Sequence, residues 1–161
     1  MSPREFPETV AVPNLQEFRS DASSLRAAYN AIASIDSLSA HLLYWARERG
    51  SGRVPKRGDD NKYRKDLIAR SVDFGVITQI AKAQKHVLLD STPHRGIQRA
   101  SQVSRVQVRY DGSFHHDATL IHSATQVVIR MEDGLAAVLP IAQRALEFLK
   151  QEIREIECSR E

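Results

Sequence analysis

Two groups of residues in this 161-residue chain have the types and spacing for chemistry. The first is His115-His116-Asp117 with His122 close behind, since imidazoles and a carboxylate are ordinary metal ligands. Adjacent histidines on a strand point to opposite faces, so His116 and His122 are the pair able to share a side. An exposed loop is the expectation there, with no metal and no cofactor. The second group is Lys82, Lys85 and His86, near the end of a predicted helix, where the dipole favours a protonated imidazole. With Gln79 one turn above Lys82, these residues offer two cations and an amide donor to a phosphate, or His86 serves as a general base for a 2′-hydroxyl. The competing role for His86 is structural, capping its helix or bonding to Asp36 or His41. Asp36, His41 and Asn30 lie on or beside an apolar stripe, and buried polar groups need partners, so a network among helices is expected.

Arg109 and His115 fit an Arg-x5-His spacing of the kind some ribonucleases use. Seventeen arginines and six histidines generate about two such matches by chance, so this one carries little information. The chain has no phosphate loop, no nucleophile motif and no paired-cysteine site. Its single cysteine, Cys158, excludes an internal disulfide and suits a cytosolic compartment. Met1 to Pro13 lacks the apolar core of a secretory leader, and no stretch approaches membrane-spanning length, so no membrane partner is expected.

Charge is unevenly placed. The formal net charge is +3, yet Gly50 to Arg99 holds eleven Lys or Arg against five Asp or Glu, while the remainder holds twelve against fifteen. The middle segment therefore produces the overall sign. Clustered Lys and Arg attract phosphates by counterion release, so Arg53, Lys56, Arg57, Arg64, Lys65, Lys82 and Lys85 form the expected anion-binding or nucleic-acid-binding surface, for RNA, DNA or an acidic protein face. Tyr63 is the one aromatic within the basic run, which disfavours single-strand stacking there.

The elements that must position these groups are legible from periodicity. Met1 to Pro13 reads as a loose arm, with Asn14 or Asp21 as caps and a domain running from residue 14 to 161. From Leu25, the positions Ala28, Tyr29, Ile32, Ile35, Leu38, Leu42, Trp45 and Ala46 recur at helical steps and predict a long helix stopped by Gly50. Ser51 to Gly58 reads as a loop. Asp59 and Asp60 start a shorter helix through Tyr63, Leu67 and Ile68. A third helix, from about Phe74 to Leu88, places Phe74, Ile77, Ile80, Ala81 and Gln84 on its apolar side. The period then changes to two, predicting strands over Val103 to Tyr110, Gln126 to Glu132 and Leu135 to Leu139, with a hairpin at Asp133-Gly134 and a turn candidate at Asp111-Gly112. Pro140 opens a C-terminal amphipathic helix of about four turns carrying Ile141, Ala142, Ala145, Phe148, Leu149, Ile153 and Ile156 on one side. The expected fold is α+β, a helical bundle packed with a small antiparallel sheet. The stripe of the long helix could serve a core or a homodimer interface.

The run from Asp73 to Asp90, with Ala83-Gln84-Lys85-His86 at its helix end and Arg99-Ala100-Ser101-Gln102 beyond, resembles small bacterial proteins with a conspicuous Ala…Lys-His helix end. No activity comes with that resemblance. The same helix end is similar to HEPN domains, helical bundles that include toxin and defence ribonucleases and carry an arginine, a short polar stretch and a histidine. His86 matches that histidine. Gln79, Ile80 and Ala81 stand where the arginine belongs, so the resemblance implies a HEPN-like scaffold more than catalysis. The leading expectation is a non-catalytic interaction or regulatory module with a basic surface. The alternative is an RNA-processing or toxin-type ribonuclease using His86 with Lys82 or Lys85.

Overall fold

The structure, a computed structural model, describes residues 5–55, 60–86, 89, 95–107 and 125–158. A π-helical turn at Pro7–Ala11 leads into α1 (Val12–Ser20), followed by α2 (Leu25–Glu48), α3 (Asp60–Arg70), α4 (Val72–His86), β1 (Val103–Gln107), β2 (Thr125–Met131), β3 (Gly134–Ala137) and α5 (Val138–Cys158). This is the expected α+β arrangement. Lys56, Arg57, Arg109, His115, His116, Asp117, His122 and the Asp111-Gly112 turn candidate lie outside the described residues.

The long helix α2 has defined ends. Ser24 is its N-cap, its hydroxyl accepting from the Ala27 amide at 3.2 Å, in place of the expected Asn14 or Asp21. At the other end Gly50, at φ +67°, donates to the Arg47 carbonyl and Ser51 donates to that of Ala46, both at 2.9 Å. That pair of bonds is a Schellman closure, which needs a left-handed residue at the position Gly50 fills.

The segment read as a loose arm is helical from Pro7 onward. Pro7 and Pro13 occupy first-turn positions, where a missing N–H has no partner to lose. Ala11 and Phe18 are fully buried, Phe6 stacks on His41 at 4.3 Å, and Lys150 of α5 pairs with Glu8 at 3.3 Å. Apolar burial and this pair dock the segment on α2 and α5.

Helix α4 is buried without interruption from Phe74 to Ala81, including Thr78 and Gln79, because α2, α3 and α5 surround it. The two polar residues masked this in the sequence pattern. Gln84, expected on the apolar side, is exposed. Ser71 joins α3 to α4, its hydroxyl accepting from the Phe74 amide at 3.2 Å. Helix α5 is longer than the sequence suggested, 21 residues or about 31 Å. Its apolar stripe holds one carboxylate, Glu152, at 2% exposure.

The sheet has strand order β1-β2-β3, antiparallel throughout. Met131 pairs with Gly134, so the hairpin turns through Glu132 and Asp133. Val127 and Ile129 of β2 enter the helical core. Where β3 stops short, the Val127 amide instead donates to the Ala22 carbonyl at 2.8 Å, so the link between α1 and α2 closes that edge. Ahead of β1, Gln102 organises its loop. Its Oε1 accepts from the Gln98 and Arg99 amides at 2.7 and 2.8 Å, and its Nε2 donates to the Gly96 and Arg130 carbonyls at 2.9 and 3.0 Å.

Candidate anion-binding face

Helix α3 positions the face. It is a polar helix that buries Tyr63 and Leu67 and is otherwise tied down by charge. At its start Asp60 accepts from Arg47 Nη1 at 2.6 Å and from the Tyr44 hydroxyl at 3.3 Å, both on α2. One turn on, Arg64 pairs with Asp36, a carboxylate 5% exposed within α2. At its end Arg70 clasps Glu152 on α5, with Asp66 at 3.5 Å and the Phe148 ring 5.6 Å away. Donating to the Glu152 carboxylate raises the Arg70 pKa, whereas burial lowers that of Arg64. Burial, then the nearby Glu152 charge, pushes the Tyr63 phenol well above its usual range.

These pairs divide the seven expected cations. Arg53 is spent on Glu155, and Arg64 on Asp36. Lys65, Lys82 and Lys85 are exposed, with Lys65 on α3 and the other two on α4. Lys82 lies within electrostatic reach of both Arg64 and Lys65. Its ammonium pKa is lowered first by burial, then by Arg64 and then by Lys65. Among the described residues, no carboxylate enters that balance. Asp36 offsets Arg64 but not Lys65 or Lys82, and like charges held close together cost free energy in the unbound state, a cost that an arriving anion relieves.

The histidine end of α4 is different. His86 is exposed at the last position of the helix; of the partners expected for it on α2, Asp36 pairs with Arg64 and His41 stacks on Phe6. Gln79 is 5% exposed and donates to the Ile97 carbonyl at 3.1 Å, so its amide serves the fold and is withdrawn from the surface near Lys82. Asn30 is exposed, so of the three polar residues flagged on the long helix, Asp36 alone enters an interhelical ion pair among the described residues. No group of three His, Cys, Asp or Glu suited to a metal occurs among the described residues.

Sequence reasoning overlooked Tyr44. This tyrosine is 57% exposed and borders an open cleft of ≈ 710 Å³ between the end of α2 and residues 50–55. The signal was available: Tyr44 is an aromatic absent from the Leu42, Trp45 and Ala46 stripe, on the opposite side of a helix with 3.6 residues per turn. Among the described residues no helix is long and apolar enough to cross a membrane. Compared with protein-family models, with curated proteins and with solved structures, the chain matches none of them.

Proposed function

We propose that this protein is a non-catalytic interaction or regulatory module that binds an anionic partner through the face shared by α3 and α4. The observation that carries this reading is the placement of Lys65, Lys82 and Lys85, exposed on α3 and α4 with none of them in an ion pair among the described residues; Lys82 also feels the charges of Arg64 and Lys65. Lys85 extends the positive field one turn further along α4. A rigid base supports the face, because the Arg64–Asp36 and Arg70–Glu152 pairs fix α3 against α2 and α5. Such a surface supplies long-range attraction and orientation for a polyanion.

Two features favour binding over catalysis. Gln79, at one of the positions where the HEPN pattern has its arginine, is buried and committed to Ile97. A general base must also be matched by groups that hold the substrate oxygen in reach, and the cations that α4 places near His86 are two lysines, Lys82 and Lys85, with no arginine among them.

Retention on immobilised heparin tests the proposal. The Lys65→Glu/Lys82→Glu protein elutes at markedly lower salt than the parent, whereas Arg154→Glu, on the exposed side of α5, elutes close to it. Equal retention of parent and double variant would remove the face from the account.

A further inference from the structure

The partner class can be narrowed from the cleft beside Tyr44. Its walls include Tyr44, Arg47, Glu48, Ser51, Val54 and Pro55. Tyr44 is exposed over more than half its surface, while its hydroxyl is anchored on Asp60 at 3.3 Å and the Arg47 guanidinium lies 5.9 Å from the ring centroid. Arg47 is itself held by the Pro55 carbonyl at 2.9 Å and Asp60 at 2.6 Å. The ring is therefore presented in a fixed orientation, which lowers the entropy lost when a flat ligand settles on it.

Charge decides which part of a ligand belongs there. The cleft sits at the C-terminal end of α2, the negative end of the helix dipole, and Glu48 adds a carboxylate. The Arg47 guanidinium in the wall is already paired with Asp60, so a phosphate is disfavoured in such a place. A neutral planar ring with N–H groups on its edge is suited to it, since the edge can donate to Glu48 and the face can stack on Tyr44. The phosphates fit nearby. Asp60, which anchors Tyr44, is four residues before Arg64 and five before Lys65, so the cationic patch begins about 6 Å further along α3.

Resting on the anion-binding reading above, we infer that the partner is single-stranded nucleic acid, with a base stacked on Tyr44 in the cleft and its backbone phosphates running along α3 to Lys65 and Lys82. A stacking residue next to a basic track is the usual arrangement for sequence-tolerant single-strand binding. An acidic protein would use the lysines but has no need of the tyrosine.

The test compares a short fluorescent oligouridylate, an abasic phosphodiester chain of equal length and polyglutamate, titrated into the full chain and its variants. Tyr44→Ala weakens oligouridylate binding about 5- to 150-fold, Tyr44→Phe, which keeps the stacking face but loses the anchor on Asp60, weakens it less than Tyr44→Ala, and the abasic chain binds weakly and is indifferent to either change. If Lys65→Glu/Lys82→Glu abolishes binding but Tyr44→Ala and the abasic chain match the parent with oligouridylate, the base site is wrong and the anion face stands. Polyglutamate binding as tight as oligouridylate binding, with Tyr44→Ala neutral, overturns the inference in favour of an acidic protein. No binding of any of the three polyanions overturns both readings.

Discussion

Arg70 on α3 holds Glu152 on α5 with both terminal nitrogens, Nη1 donating to Oε2 at 2.9 Å, and Glu152 is 2% exposed. The carboxylate interrupts an otherwise apolar stripe, so its burial is tolerable because α3 delivers a guanidinium to it. The proposed anion-binding face depends on this clasp, since it fixes the far end of the helix that carries Arg64 and Lys65.

Removing the cation alone is predicted to be costly. Arg70→Ala leaves a buried carboxylate unpaired and destabilises the fold by about 3 kcal/mol, the low end for a buried pair because Arg70 keeps 38% of its side chain in water. Urea unfolding of Arg70→Ala and of Arg70→Met/Glu152→Leu checks this. The double variant should recover most of the loss, and a double variant as unstable as the single one would mean that packing at Arg70, not charge, is what matters.

Tyr63 offers a stabilising substitution. Its hydroxyl is buried with no hydrogen-bond partner among the described residues, and its phenol is pushed up by burial and by Glu152. Tyr63→Phe removes an unsatisfied polar group and raises stability by about 1 kcal/mol, read as a higher urea midpoint at unchanged slope. A lower midpoint would show that the hydroxyl is satisfied in solution.

The lowered pKa of Lys82 gives a pH signature. Between that depressed value and the usual 10.5, the unfolded chain binds more protons than the folded one, so this group's contribution to stability rises with pH across that window. Binding an anion reverses the shift, and the complex takes up protons. Calorimetric titration of a polyanion above neutral pH in two buffers of different ionisation enthalpy should report that uptake for the parent and less for Lys82→Gln. Identical uptake in the two proteins would detach Lys82 from the site.

How much of this was readable beforehand depends on the range of the interaction. Gly50 and the hairpin were legible because caps and turns are local, although the turn falls at Glu132-Asp133, one residue ahead of the expected Asp133-Gly134, and the helical stripes were legible because they repeat every three or four residues. The N-terminal helix was not, since prolines that signal a loose arm also suit a first turn, and only burial of Ala11 and Phe18 decides between them. The excess of cations in the middle segment was legible as a count, but which of them are paired was not. Arg53, Arg64 and Arg70 are matched to Glu155, Asp36 and Glu152 from distant parts of the chain, and no local pattern announces such pairs. Tyr44 escaped for a different reason: it falls off the apolar stripe of α2, and only the structure shows that a cleft lies beside it.

His86 separates binding from catalysis. A time course of purified protein with mixed single-stranded RNA should leave the RNA intact for both the parent and His86→Ala. Cleavage by the parent that disappears in His86→Ala would establish the ribonuclease reading and make the absent arginine the next question.

The most direct measurement of the central claim uses inorganic polyphosphate, a polyanion without bases, titrated against the parent and Lys65→Gln/Lys82→Gln over a series of salt concentrations. The account predicts weaker binding by the variant and a logarithmic salt slope shallower by about one for each lysine removed. Equal affinity and equal slope in the two proteins would contradict it.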